Sequence, residues 1–488
     1  MIDDIAVFSE LRTSPAGHDD IVEMAPVIAA GGEQATDAVL QTLAQEGTHM
    51  TMNTTSAAAA RLSSQAVMPL RTLDPTGPSD DLAWLDQAIG DARVVAIGES
   101  AHYNGEFYQL RHRLLRYLVE RHGFSAYAME TGFAEGRLVD AWVHGSRNEL
   151  GHVLANGLTS LTGLWTQMRD HLEWMRRHHP TTGFHGIDLG GSNASLLPGL
   201  DAVLAYLAQA DPEFQAGPSI RETAAAFAAT SAFAAPAALA SYGALPSETR
   251  DALTAGLSDL TARMTGRRLD YLQRTTPEDY ERALRSLRIT VVLDTVVRAM
   301  SRGDMQSAMI NRDAAIADTV EWILRREDRI VLAAHNGHIQ RGPGILPGMA
   351  PVTPMGLHLA DRLGQDYLVI GATSGTGQIL NNGPDFYAGE LFTTMEAPEP
   401  GSIDALMHAS HDGPFATDLR RLSPADADAV RAATRQRAGI GTFYSPVNAL
   451  DAYDILVHLP HVTAAQPDAA ALAHSPREVQ EAFAHWKP

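Results

Sequence analysis

Short apolar runs recur along the chain from Leu70 onward, and most of them stop at a reactive side chain. Val94–Ile97, Ala126–Met129, Phe184–Leu189, Ile330–Ala334 and Tyr367–Ala372 are apolar, β-rich runs, and segments of helical spacing lie between them. That alternation predicts an α/β fold with a mostly parallel central sheet flanked by helices. Asp454–His458 predicts a further strand near the end. The first run continues into Gly98-Glu99-Ser100-Ala101-His102, the second into Glu130, the third ends around Asp188, and the fourth leads into His335-Asn336-Gly337-His338. If the strands are parallel, these groups converge on the carboxyl edge of the sheet, where ligands bind in open α/β folds. An isolated carboxylate at a strand end is usually a helix cap or a loop hydrogen-bonder. Four strands with the same habit point to a site.

Between the first two strands, residues 106–122 predict a helix whose apolar stripe comprises Phe107, Leu110, Leu114, Leu115 and Leu118. Arg111 falls inside that stripe, whereas Arg113 and Arg116 fall on the opposite face, expected to meet solvent. A buried guanidinium cannot shed its charge and must be paired. Glu99 and Glu130 are its expected partners. Met309-Ile310-Asn311-Arg312-Asp313 is read as the opening of an amphipathic helix that continues through Ile316, Val320, Ile323 and Leu324. At a helix start Asp313 has an ordinary explanation in the helix dipole, and Arg312 does not.

Residues 195–302 break the alternation. They are Ala- and Leu-rich, with helical periodicity and turn signals at Pro212, Pro236, Pro246 and Pro277, which predicts an inserted all-helical subdomain over the carboxyl edge. The expected organisation is a mobile or poorly ordered extension over 1–68, an α/β catalytic core over 69–194 and 303–465, the insertion over 195–302, and a C-terminal tail over 466–488. The extension is assigned on its Ala, Thr, Gly and Ser content, which buries little apolar surface.

Composition narrows the function. Lys and Arg number 37 against 58 Asp and Glu, a net charge of −21, which argues against nucleic acid and against an anionic membrane surface. The absence of cysteine excludes disulfides, thiolate metal sites and thiol nucleophiles. No apolar run is long enough to span a bilayer and the start lacks a signal-peptide pattern, so a cytoplasmic location is expected. No Gly-x-Ser-x-Gly elbow stands in a strand–turn–helix setting, and the glycine-rich stretch 371–377 lacks the lysine of a phosphate loop.

Two schemes fit the remaining groups. In one, His102 is a general base on water, Glu99 or Glu130 orients it, and His335 or Arg312 stabilises the oxyanion. In the other, His102, His335, His338 and a glutamate hold a divalent metal that activates the water. Glu-x-x-His is not the His-Glu-x-x-His zinc signature, so the metal-free scheme is favoured and no cofactor is expected.

Ile97-Gly-Glu-Ser-Ala-His102, Glu106-Phe-Tyr-Gln-Leu-Arg-His-Arg-Leu-Leu115, Ala128-Met-Glu-Thr-Gly-Phe133, Asn311-Arg-Asp313, Ala334-His-Asn-Gly-His338 and Tyr453-Asp-Ile-Leu-Val-His458 together resemble the erythromycin esterase family, over about residues 68–465. The resemblance implies hydrolysis of a macrolide lactone or related small-molecule ester, with His102 as general base and Glu99, Arg111, Glu130 and His335 as the rest of the catalytic set. Arg312 and His338 also match family positions. They are placed with Asp188, Asn336 and Tyr103 at the substrate, Tyr103 because it replaces a smaller residue and narrows the pocket. The same base could instead serve a biosynthetic tailoring enzyme catalysing elimination, dehydration or intramolecular acyl transfer, and a non-catalytic binding protein is the third reading. Oligomeric state is left open.

Overall fold

The computed structural model describes residues 60–486 apart from 216, 382, 384, 387–388 and 439–442. Residues 1–59 of the expected extension therefore lie outside the described residues. Within 60–69, Leu62 is buried, its N–H donates to Ser410 Oγ at 2.9 Å, and Met68–Pro69 (β1) pairs with a strand more than 340 positions away.

The strands that follow are Val94–Ile97 (β2), Ala126–Gly132 (β3), Gly183–Asp188 (β4), Ile330–Ala333 (β5), Tyr367–Leu380 (β6), Phe392–Met395 (β7) and Phe415–Asp418 (β8). Arg435–Arg437 (β9) and Tyr444–Pro446 (β10) form a separate hairpin, and Ile455–Val462 (β11) returns to the main sheet. The main order is β1-β8-β11-β6-β2-β5-β3-β4, with β7 on β6. Every neighbouring pair from β11 to β4 is parallel, while β8, β1 and β7 join antiparallel. β2 and β5 are buried at every position, as strands covered on both faces must be, and that is why they read as unbroken apolar runs.

β6 extends well past the predicted end at Ala372. The stretch 371–377 forms its interior, and its glycines answer close packing rather than a phosphate. A Cβ on Gly371 would lie 2.6 Å from the Tyr453 ring, and one on Gly375 would lie 2.2 Å from the Pro460 carbonyl oxygen.

The first crossover helix, Gly105–His122, ends at Gly123 in a left-handed conformation (φ 68°) and buries the predicted stripe with Arg111 inside it. Arg113 differs from expectation. It is buried, paired with Asp81 and donating to the Pro78 carbonyl, because residues 78–82 fold over the face of the helix that periodicity alone assigns to solvent.

Between β4 and β5 the chain is helical, and Leu197–Ala210, Ser247–Gly266 and Pro277–Ser301 are its longest segments before Met305–Leu324. Pro277–Ser301 packs on all three of the others. It opens with Thr276 accepting the Asp279 N–H and with Pro277 in the first turn. Met305–Leu324 starts earlier than predicted, because Asp304 caps it by accepting the Ser307 N–H at 3.0 Å. Arg312 and Asp313 thus lie about two turns inside the helix, and the dipole explanation for Asp313 does not hold.

Residues 466–488, set apart in the sequence as a tail, include the helices Ala469–Ala473 and Arg477–His485. Phe483 lies 5.3 Å from the Trp165 ring and Trp486 lies 5.2 Å from Phe392. Among the described residues no helix is long and apolar enough to cross a membrane.

Candidate active site

Sheet order decides which strand ends meet. With β2, β5, β3 and β4 adjacent and parallel, their carboxyl ends present Glu99 and His102, then His335 and His338, then Glu130, then Asp188. Glu130 lies inside β3 rather than after it. The β3–β4 register shifts between Met129 and Gly132, and such an irregularity re-aims a side chain locally.

Two ion clusters result. In the first, Arg111 Nη1 donates to Glu99 Oε2 at 2.7 Å and Nη2 to the Ala334 carbonyl at 2.6 Å, while Glu99 Oε1 lies 2.5 Å from His102 Nδ1. Burial works to raise the Glu99 pKa, but Arg111 and His102 outweigh it and hold the carboxyl below its ordinary value. Arg111 was expected to pair with Glu99 and Glu130, and only Glu99 is within reach.

Glu130 belongs to the second cluster, which is built on Arg312. Its guanidinium donates from Nε to Asp188 Oδ1 (2.9 Å) and from Nη2 to Asp188 Oδ2 (2.6 Å) and Glu130 Oε1 (3.1 Å). His338 lies behind, with Nδ1 2.5 Å from Asp313 Oδ1 and Nε2 3.2 Å from Glu130 Oε1. Against burial, His338 and Arg312 hold Glu130 well below the carboxylate range, and Arg312 likewise lowers Asp188. Burial disfavours charge on His338, and Arg312 Nη1 at 2.9 Å from Nε2 opposes it too, yet Asp313 and Glu130 prevail and push its pKa up to about 9.

The raised His338 value carries a pH prediction. A cation favoured in the folded state stabilises fully below the unfolded pKa of about 6.5 and is lost as pH rises through about 9. Wild type is expected to lose stability relative to His338→Gln as pH rises from about 6 to about 9.5, read by urea unfolding. Parallel pH dependence of the two proteins would show His338 to be neutral, its Nε2 accepting from Arg312.

Glu130 also reaches toward the first cluster. Its Oε2 accepts the His335 N–H at 2.8 Å. His335 Nδ1 accepts the Gly337 N–H at 3.1 Å, which assigns the proton of the neutral ring to Nε2. The His335 and His102 rings are 5.1 Å apart.

Glu99, His102, Tyr103, Arg111, Glu130, Asp188 and Arg312 line one cavity of about 60 Å³. His335 and Asn336 border a neighbouring cavity. His338 is buried behind the carboxylates and lines neither. Asn336 was expected at the substrate, but its amide donates to the Ala372 carbonyl at 2.7 Å and accepts the Ala372 N–H at 3.0 Å, tying β5 to β6. A Cβ on Gly98 would lie 2.1 Å from Asn336 Oδ1. Gly98→Ala is therefore expected to destabilise the protein by about 1–3 kcal/mol, seen as a lower urea midpoint, and an unchanged midpoint would contradict this packing.

Tyr103 is left-handed at φ 62°, stacks on Trp165 at 5.7 Å and donates its hydroxyl to the Ser160 carbonyl. Sequence reasoning missed Ser160 and Leu161, also left-handed at φ 54° and 64° and also on the cavity wall. It missed Tyr108, whose hydroxyl donates to the Thr162 carbonyl at 3.1 Å, although Tyr108 stands three residues before Arg111. Among the described residues no group of three or more His, Asp or Glu side chains is arranged to hold a metal ion.

The family model of erythromycin esterase matches residues 119–462, more than half of the chain. The match begins after Glu99, His102 and Arg111, so their placement stands on the geometry above. Erythromycin esterase type II of Escherichia coli is 29% identical over 362 residues, covering 69% of this chain and 83% of that protein. Type I of the same organism is 27% identical over 290 residues, covering 57% and 70%. A solved mutant erythromycin esterase in its open conformation aligns with a TM-score of 0.66 at 21% identity, covering 80% of this chain and 97% of that one. A Bacillus cereus protein of known structure reaches 0.70 at 20% identity, covering 83% and 97%. At such identities the structures speak for the fold, a mostly parallel sheet flanked by helices. The chain belongs to the erythromycin esterase family, and that membership supports an esterase-like hydrolase.

Proposed function

We propose that the protein hydrolyses a lactone or related carboxylic ester, a macrolactone foremost, with water activated by His102. The observation that carries this reading is the Glu99–His102 contact of 2.5 Å on the wall of a cavity. A carboxylate held ionised by Arg111 accepts the Nδ1 proton, which fixes the imidazole tautomer and makes Nε2 the basic nitrogen. Water attacks the ester carbon as its proton passes to Nε2. Glu99 favours the imidazolium that forms, as a carboxylate does in other base-activated hydrolases. The tetrahedral oxyanion collapses, the C–O bond of the ring breaks, and the leaving alkoxide takes the proton back from His102. Ring opening thus yields a hydroxy acid with the enzyme unchanged.

His335 is the candidate to assist the departing oxygen, because its ring lies 5.1 Å from that of His102 and its backbone N–H is held by Glu130. Arg312 contributes by keeping Glu130 and Asp188 ionised and in place. The donor set supports the metal-free scheme. Glu99, Glu130 and Asp188 each face a guanidinium that a cation would have to displace.

A panel of macrolides and simpler lactones, with and without chelator, tests the reading by mass spectrometry. The expected result is at least one substrate that gains one water, at a rate chelation does not change. Loss of turnover with chelator would overturn the metal-free scheme. Conversion without gain of water would favour elimination or acyl transfer.

A further inference from the structure

A second cavity adjoins the first, and nothing in the proposed chemistry uses it. Ser160, Leu161 and Ala232 line both, so a single layer of residues separates them. The second has a volume of about 220 Å³ against about 60 Å³ for the first. The larger volume is the one remote from the reacting groups.

Its walls come from Glu135 and residues 155–164 between β3 and β4, the β4 exit, the helical insertion and the C-terminal helices. Their hydrogen-bonding capacity is divided. Ser192 Oγ accepts the Ser160 N–H at 3.3 Å and Ser195 Oγ accepts the Leu197 N–H at 3.4 Å, so each hydroxyl retains its proton to donate. Thr230 and Ser231 both donate to Glu478 Oε1, at 2.6 and 3.0 Å, so each retains lone pairs to accept. Leu158, Leu164 and Val479 add apolar surface.

Glu135 is the one ionisable side chain among the described residues on this wall, and its Oε1 accepts the Gly191 N–H at 2.7 Å. Among the described residues no cationic side chain lines the cavity, which disfavours an anion. A purely apolar guest would leave these donors and acceptors unpaired. A neutral guest with hydroxyls around an apolar ring fits both requirements. We propose that this cavity is a subsite for a neutral polyhydroxylated group, of the carbohydrate kind, carried by the ester substrate. The assignment rests on the hydrolytic reading of the adjoining site.

Two butyrate esters test it, one of glucose at its primary hydroxyl and one of cyclohexylmethanol, which share ring size but differ in hydroxyls. Wild type is expected to favour the glucose ester in kcat/KM by on the order of 10-fold, as two net hydrogen bonds allow. Ala229→Phe, which fills the cavity from a residue absent from the first cavity's wall, is expected to bring the ratio near unity. Ser195→Ala, a milder change should the first variant fail to fold, is expected to lower it several-fold. Equal kcat/KM for the two esters in wild type would overturn the subsite, as would a preference that persists in both variants. If neither ester is cleaved, the macrolide and lactone panel decides the hydrolytic reading separately, and calorimetric titration decides the subsite. Tighter binding of the glucose ester by wild type than by the variants supports it, and equal binding of both esters overturns it.

Discussion

Replacing His102 with alanine is expected to lower kcat/KM for ester hydrolysis by about 10²–10⁴-fold, the range a positioned general base contributes. The fold should survive. His102 is a partly exposed side chain whose partner, Glu99, keeps the Arg111 ion pair at 2.7 Å when the ring is removed. Thermal unfolding close to wild type would separate loss of chemistry from loss of structure. Added imidazole should restore part of the rate, because the vacated space adjoins an ionised carboxylate able to hold the ring. A folded variant with wild-type kcat/KM would place the base elsewhere.

Arg312→Met is expected to act on stability as much as on turnover. Arg312 is buried and bridges Asp188 and Glu130, and removing one partner of a buried pair leaves uncompensated charge, at a cost of about 3–5 kcal/mol. The sign of the pH dependence is distinctive. In wild type both carboxyls have depressed pKa values, so their contribution is present above the unfolded values and lost as pH falls. Without the guanidinium the carboxyls are expected to bind protons more readily when folded. The stability gap between variant and wild type should then narrow from about pH 7 to about pH 5, as read by urea unfolding. A gap that stays constant, or a loss below about 1 kcal/mol, would show that the bridge is not a principal support of the site.

Much of the fold was legible because the central strands are buried on both faces. β2 and β5 announce themselves as apolar runs ending in reactive groups, and parallel pairing then carries those groups to one edge. Arg111 was legible for a similar reason, since a charge inside a helical apolar stripe stands out. What failed depends on contacts distant in sequence. The solvent face assigned to Arg113 is covered by Asp81, 32 positions away, and the Asp313–His338 contact spans 25. Neither pair leaves a periodic signal. The helix start before Arg312 was misplaced because the capping residue, Asp304, precedes the apolar pattern used to find it. β6 was cut short because Gly375 and Gly377 look like loop residues, although close approach of Pro460 and Val462 carbonyl oxygens requires them within the strand. The left-handed conformations of Tyr103, Ser160 and Leu161, which shape the wall of the first cavity, have no counterpart in composition or spacing.

Direct attack by water on the substrate, with no covalent stage on the chain, is the central claim. Mass spectrometry of both product and protein during turnover in water labelled with heavy oxygen tests it most directly. The expected result is one heavy oxygen in the newly formed carboxylate of the ring-opened product, with the protein mass unchanged at every time point. Acylated protein at early times, or a product lacking solvent oxygen, would contradict it.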